Sequence, residues 1–417
     1  MSRRFDVVIW GATGFTGRLV AEHLCERYGV GGDLRWAIAG RNEAKLEAVR
    51  DELKAIDAAA SELPIVLGDS FDEASLRELA ASTQVVCTTV GPYLRYGSKL
   101  VAACVAEGTD YCDLTGESPW IRQMIDRHHD AAQEAGCRIV HCCGFDSIPS
   151  DIGAFVLQRE ARARFGKPMH KVRLYVGPTR GGFSGGTVAS MMEIVDQARD
   201  PQVRRVLFDP YALNPPGERR GPDGRDPATV SWAPDVDAWR APFLMGPINT
   251  RVVRRSNALL DHAYGRDFKY QEYMTLPGTT QGWVMAQAIT LGIGAVLTMA
   301  AIPATRWLLE SFILPAPGEG PSQQEREAGY FKATMVGKGE NEEGRPAEVR
   351  VRIHGERDPG YGATARMLGE AAVCLAHDRD ALPERAGILT PASAMGDALV
   401  ERLEANAAVT FKVDAWS

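Results

Sequence analysis

Three glycines at even spacing, Gly11, Gly14 and Gly17, separate an apolar run from an amphipathic one. Residues 5–10 (FDVVIW) read as a buried strand, and residues 18–27 read as a helix. A strand, a glycine-rich turn and a helix together make a phosphate cradle. The glycines let the backbone bend tightly and approach a pyrophosphate, and the helix N-terminus offers N–H groups and the positive end of a dipole. The spacing is G-x-x-G-x-x-G, a variant of the usual G-x-G-x-x-G, and it is the strand before and the helix after that make it specific. It predicts a dinucleotide held by Gly11, Thr13, Gly14, Phe15, Thr16 and Gly17. The plainer alternative is an ordinary tight turn between strand and helix.

The second strand, residues 34–39, indicates which dinucleotide. Chains that bind NAD place an acid at this strand end to grip the ribose 2′-hydroxyl. Here Arg41 follows the strand, with Asn42 beside it and Lys45 one turn into the next helix. A guanidinium pairs bidentately with a 2′-phosphate, whereas a carboxylate repels it. The expectation is NADP(H) rather than NAD(H), against the alternative that Arg41 is a solvated loop cation.

Strands and helices alternate through the first 150 residues, which implies a parallel sheet with helices on both faces. In such sheets the ligand lies beyond the carboxyl ends of the strands. Asp69 is expected near the adenine ribose, and Val90, Gly91 and Pro92 beside the pyrophosphate and nicotinamide. The segment Gly144–Asp151 (GFDSIPSD) follows the last strand and faces the nicotinamide end. Hydride transfer there needs a proton donor, and the candidates are Tyr93, Tyr96, Asp146 and Ser147. A tyrosine donates while neutral, whereas Asp146 needs a raised pKa. Ser150 and Asp151 read as caps of a helix over 152–164. The Tyr-x-x-x-Lys pair of short-chain dehydrogenases is absent, because Tyr96 is followed by Lys99, one residue short. A different chemistry is written in Gly182-Phe183-Ser184-Gly185-Gly186, a G-x-S-x-G with Asp358 and His377 downstream in the order of a hydrolase.

A chain of 417 residues is long enough for two domains. Its net charge of −7, with no basic block, argues against a nucleic-acid partner. Seven of the eight cysteines precede residue 144 and none forms C-x-x-C, so no metal site is expected and a reducing cytoplasm suits them. Met1-Ser2-Arg3-Arg4 runs straight into the first strand, with no signal peptide expected. From Tyr273 to Thr305 there are 33 residues without Asp, Glu, Lys, Arg or His. Residues 283–302 are long enough to span a bilayer, yet they hold glycines, threonines and a glutamine and end at Pro303. Residues 306–314 look like an amphipathic follow-on with an interfacial Arg306-Trp307 pair. Three readings stay open: a hairpin or helix docking lipid from one leaflet, a helix buried in a core or a homodimer interface, and a single span. Around this segment lie a strand at 171–176, a helix at 187–198, a Pro- and Gly-rich loop at 209–242, and a hairpin of 330–337 with 347–354. Helices at 363–376 and 391–403 follow.

Taken together, several motifs resemble the saccharopine dehydrogenase-like oxidoreductases. They are GATGFTG at 11–17, AGRN at 39–42, TVGPY at 89–93, YCDLTGE at 111–117 and GFDSIPSD at 144–151. In the second half, residues 183–190, 249–258 and 389–399 are similar to the trans-acting enoyl reductases of complex-lipid biosynthesis. The resemblance covers nearly the whole chain. It implies an α/β protein with a Rossmann-type NADP-binding domain at 1–149. A second α+β domain at 150–384 carries the hydrophobic insertion 273–314, and residues 385–410 pack back on the first. It further implies reduction of an enoyl or keto group on an apolar acyl or lipid substrate, carried on a polyketide synthase, at the inner face of the plasma membrane. Two other readings are an amino-acid oxidoreductase of the saccharopine type, for which no dicarboxylate site is evident, and a non-enzymatic NADP-binding membrane adaptor.

Overall fold

A computed structural model of the protein describes residues 3–181, 185–302, 304–306 and 320–416. The chain divides into two compact units. The first comprises residues 1–148, 317–322 and 360–408. Its strands are β1 (Phe5–Trp10), β2 (Trp36–Gly40), β3 (Ile65–Leu67), β4 (Thr83–Thr88), β5 (Asp110–Asp113), β6 (Arg138–Val140) and β13 (Gly387–Leu389). They form one sheet in the order β13-β6-β5-β4-β1-β2-β3, parallel throughout. β1 and β2 are buried at every position, as parallel strands covered on both faces must be. The connecting helices include α1 (Phe15–Tyr28), α2 (Glu43–Leu53), α3 (Glu73–Ser82), α4 (Tyr93–Tyr96), α5 (Ser98–Ala106) and α6 (Ser118–Glu134).

The long C-terminal return of the chain to this unit runs from Gly360, upstream of the residue 385 expected from sequence, and follows a brief visit at 317–322. The helix Thr364–His377 lies against α1, β1, β4 and β5. It is buried along most of its length, and Met367, Leu368, Val373 and Leu375 are fully buried. Each such side chain contributes roughly 1.5–3 kcal/mol. Its one buried charge, Glu370, is thoroughly partnered. His23 Nε2 lies 2.8 Å from it, the Tyr28 hydroxyl donates at 2.7 Å, and Asn406 Nδ2 donates at 3.0 Å. Asn406 ends the helix Pro391–Asn406, so one carboxylate fastens both C-terminal helices to α1.

The second unit comprises residues 149–316, 323–359 and 409–417. Its strands are β7 (Lys171–Arg180), β8 (Ser231–Ala233), β9 (Ala238–Pro242), β10 (Lys269–Leu276), β11 (Tyr330–Glu340), β12 (Pro346–Glu356) and β14 (Val409–Trp416). The sheet runs β14-β12-β11-β7-β10-β9-β8, with β7 and β10 parallel and the other neighbours antiparallel. α7 (Ile148–Phe165) and α10 (Gly246–Leu259) cover one face. A Cβ at Gly153 would meet Ile353 Cδ1 at 2.7 Å, and one at Gly337 would meet Leu157 Cδ2 at 2.6 Å, so these glycines set the helix–sheet spacing. Residues 209–242 are not loop throughout. They hold the edge strand β8 and its neighbour β9; Pro234 follows β8 and Pro242 ends β9, beyond the residues that pair with β8, where proline is tolerated.

Ser150 and Asp151 are not caps, because α7 starts at Ile148 and places both in its first turn. Ser150 hydrogen-bonds Glu272, and Asp151 accepts from the Ser256 hydroxyl. Asn249 Nδ2 and the Tyr270 hydroxyl also donate to Glu272, at 2.9 and 2.8 Å. Burial still pushes the Glu272 carboxyl up to about 7. These contacts account for Ser150 and Asp151 of the GFDSIPSD motif and for Asn249 and Ser256 of the NTRVVRRSNA motif as buried polar partners.

The uncharged stretch divides in two. Tyr273–Leu276 ends β10, and Thr280–Ala301 forms α11, begun by Thr279, whose hydroxyl accepts from the Gly282 amide at 3.1 Å. Only 11% of the most apolar 18-residue window of α11 is buried, so within this chain it is not a core helix. Residues 307–314 of the amphipathic follow-on lie outside the described residues. α8 (Gly185–Gln197), α9 (Pro201–Phe208) and the segment 323–327 complete the helices described.

Burial alone would raise the Glu370 pKa, but the bonds from His23, Tyr28 and Asn406 hold it below the ordinary value. A carboxylate with a depressed folded pKa stabilises above its unfolded value and loses that contribution as pH falls through the folded one. Replacing Glu370 by Gln should cost about 2–4 kcal/mol at pH 7. Urea unfolding at pH 7 and at about pH 3.5 checks this: the gap from wild type should narrow at the lower pH.

Candidate functional site

All strands of the first unit are parallel, so the loops leaving β1 to β6 share one edge. The turn after β1 is the tightest. Gly11 has φ +91°, and a Cβ there would lie 2.5 Å from Val90 Cγ2. A Cβ at Gly17 would lie 2.2 Å from the Gly11 carbonyl oxygen, which also accepts from the Gly14 amide at 3.0 Å. Gly14 is the N-cap of α1 and offers the first turn no side-chain acceptor. A phosphate is the natural acceptor at such a helix start. Thr13 and Thr16 are half-buried on this turn. The Phe15 ring meets Tyr361 edge-on at 4.6 Å, and Gly320 packs against it, so Phe15 brings its backbone rather than its ring to the cradle.

Arg41 and Lys45 are exposed just beyond β2. Asn42 caps α2, its Oδ1 accepting from the Lys45 amide at 3.0 Å, which fixes the turn between the two cations. Asp69 follows β3, and its Oδ1 accepts from the Phe71 amide at 2.8 Å. No carboxylate follows β2 in the position that would repel a 2′-phosphate. Val90 and Gly91 follow β4, with the Gly91–Pro92 peptide cis. These residues fit NADP(H): a close-approach turn for the pyrophosphate and two cations for the 2′-phosphate.

Toward the other end of the edge stand the proton-donor candidates. The Tyr93 hydroxyl donates to the Thr88 carbonyl at 3.2 Å, and burial with the nearby Asp113 raises its pKa well above the ordinary value. Tyr96 is half-buried and meets Phe71 edge-on at 5.6 Å. Ser147 is buried and immediately precedes α7. Asp146 is half-buried, and burial raises its carboxyl to about 6.

Two carboxylates that the sequence reading passed over organise this edge. Glu117 accepts from the amides of Tyr93 and Leu94, each at 2.9 Å, and so caps α4. Asp113 accepts from the Tyr111 hydroxyl, His141 Nδ1 and the amides of Thr115 and Cys142, at 2.8, 2.7, 3.1 and 3.1 Å. This ties the ends of β5 and β6 together and holds Cys142 at φ +66°. The only sequence signal was their place in YCDLTGE, after a strand. Ser184 of the G-x-S-x-G lies outside the described residues. His377 stands 3.5 Å from Asp6 at the start of β1, the end of that strand opposite the phosphate turn.

Comparison with known proteins agrees with this geometry. Residues 7–140 match the saccharopine dehydrogenase NADP-binding domain. The fold is shared with the L-glutamate-forming saccharopine dehydrogenase of Saccharomyces cerevisiae, at a TM-score of 0.55 and 12% identity over 99% of this chain and 100% of that one. A trans-acting enoyl reductase of Mycobacterium ulcerans is 40% identical over 96% of each chain. A Mycobacterium tuberculosis protein given the same name provisionally is 45% identical over 97% of this chain and 96% of its own. With the NADP-binding domain, these relatives make the protein an NADP(H)-dependent oxidoreductase. It belongs to the saccharopine dehydrogenase-like family, in the group of the trans-acting enoyl reductases.

Arg41→Ala should weaken NADPH binding by about tenfold to a hundredfold, the loss of a charge-assisted pair, and leave NADH nearly unchanged. Calorimetric titration with both nucleotides checks it, and equal losses would remove the 2′-phosphate role.

Proposed function

We propose that the protein reduces the double bond of an enoyl thioester on a long acyl chain delivered by a polyketide synthase carrier. The observation that carries the mechanism is Asp146. Bound NADPH supplies a hydride to the β-carbon, and charge then develops on the thioester oxygen and α-carbon. The α-carbon needs a proton from an acid whose pKa lies near the working pH. Asp146, raised to about 6 by burial and placed after β6 at the cofactor edge, is far better suited than an ordinary carboxyl and keeps a protonated fraction near neutral pH. Tyr93 is less suited, since its hydroxyl is engaged with Thr88. The names of the mycobacterial relatives support the substrate class.

The same reading places the protein at the cytoplasmic face of a membrane. Trp283, Val284, Met285, Leu291 and Leu297 of α11 are exposed, in a helix without a charged residue. Exposed apolar area of this kind costs free energy in water and is offset by contact with lipid. An enzyme acting on long acyl chains gains from being held where such chains collect.

The direct assay follows reduced-nicotinamide absorbance with NADPH and a 2-enoyl thioester. Asp146→Asn should lower kcat by about a hundredfold to a thousandfold with little change in KM, as for a lost general acid. The protonated donor disappears above its pKa, so wild-type kcat/KM should fall about tenfold per pH unit above about 6, and Asp146→Asn should lose that limb. A wild-type profile flat from pH 5 to 8 would exclude Asp146 as donor. Sedimentation with anionic vesicles tests the membrane: wild type should co-sediment, and a Leu291→Ser/Leu297→Ser variant should stay in solution.

A further inference from the structure

The sheet of the second unit has two unlike faces. Val172, Leu174, Val349, Val351 and Ile353 are buried on the face covered by α7 and α10. On the opposite face Lys269, Lys171 and Lys338 stand directly across from one another on β10, β7 and β11. Arg352 and Lys412 are likewise paired across β12 and β14. Like charges directly opposite in a sheet destabilise it by tenths of a kcal/mol to about 1 kcal/mol. Lys338 is offset by Asp235 at 2.6 Å and Glu348 at 3.5 Å, and Arg352 by Asp414 at 2.8 Å. Lys171, Lys269 and Lys412 are exposed, with no carboxylate in salt-bridge range among the described residues. The crowding is felt locally: Arg173 first, then burial and the neighbouring lysines, lower the Lys171 pKa. A cation-rich face on a chain of net charge −7 runs against the balance of the rest of the molecule.

We propose that this face is the docking surface for an acidic protein module. The identity of that module rests on the reading above, under which it is the carrier domain bearing the acyl thioester. Charge complementarity selects the occupant. A second copy placed by a two-fold axis would bring these cations against their own kind. A lipid leaflet would find no apolar group to receive, because Tyr175, Tyr273 and Val336 are buried beneath Ala233 and Val236. Exposed charge pairs add little affinity one by one, so the face serves encounter rate and choice of partner, and its effect falls with salt.

The test compares two crotonyl thioesters with NADPH, one on an isolated acidic acyl carrier domain of a polyketide synthase and one on N-acetylcysteamine. The variants are Lys171→Glu/Lys269→Glu and Lys332→Glu/Lys412→Glu, all exposed; Lys332 stands across from His354, two residues along β12 from Arg352 and so on the same face. Each should lower kcat/KM for the carrier-borne substrate about tenfold at low salt, leave the N-acetylcysteamine thioester unchanged, and keep the wild-type melting temperature. Raising salt should erase the difference. Equal losses on both substrates, or none on the carrier, would overturn the proposal. So would variants that instead abolish co-sedimentation with phosphatidylglycerol vesicles or dissociate a dimer while carrier kinetics stay unchanged. Biolayer interferometry with the unacylated carrier separates the two ideas. Salt-sensitive binding lost on charge reversal, with neither thioester reduced, keeps the docking face and rejects enoyl reduction. Reduction of both thioesters with binding unaffected rejects the face alone.

Discussion

The backbone of Gly11 fills the space in which a side chain at residue 17 would begin. That contact sets the geometry of the first unit's ligand edge. It draws the start of α1 onto the end of β1, where the Thr89 hydroxyl reaches the Gly11 carbonyl at 3.3 Å and Val90 leans on Gly11 itself. No other residue type satisfies both positions, since Gly11 also needs positive φ. α1 in turn carries the rest of the unit. Gly369 of the helix Thr364–His377 approaches His23 closely enough that a Cβ would lie 3.0 Å from its ring. The Glu370 cluster then locks that approach. The phosphate turn and the C-terminal helices are thus one mechanical piece, joined through α1 across more than three hundred residues of sequence.

The locally encoded part of this arrangement was legible. β1 and α1 follow from an apolar run, an amphipathic one and the glycines between them, and the NADP preference follows from Arg41 after β2. What escaped reading depends on partners far along the chain. β13 is three residues long and becomes a strand only by pairing with β6. The helix Thr364–His377 has the length and composition of a core helix for any domain, and nothing in it names α1 as its neighbour. β8 and β9 were hidden by their shortness and by Pro234 and Pro242 at their ends. Ser150 and Asp151 look like caps by residue type, but Glu272 and Ser256 supply partners that type alone does not reveal.

The site shows the same division. Asp113, Glu117 and Asp146 lie within one stretch of chain and beyond one sheet edge, yet their surroundings give them different chemistry. Asp113 accepts four hydrogen bonds and Glu117 caps a helix turn with both oxygens, so each is committed to holding backbone. Asp146 is raised toward neutrality by burial, with no hydrogen bond or charge offsetting it among the described residues. Carboxylates pushed apart in this way would let one edge be rigid and, on the proposed function, proton-donating. His141 extends the pattern: Nδ1 is held by Asp113, while buried Nε2 has no hydrogen-bond partner among the described residues.

The second unit separates its two surfaces by physical character. α11 is apolar and exposed with no charge along its length, whereas the open sheet face is charged with its apolar residues covered. A single surface mixing both would bind lipid and acidic protein in competition, because anionic headgroups and carboxylates answer the same lysines. With apolar area on the helix and cations on the sheet, the membrane and the carrier of the proposed function would not compete for one surface. The energetics differ in kind as well. Burial of helix side chains is insensitive to salt, while the cation rows act over about a Debye length of 8 Å at physiological ionic strength. Under the proposed function, the first surface would hold the protein in place and the second would govern how quickly a charged partner finds it.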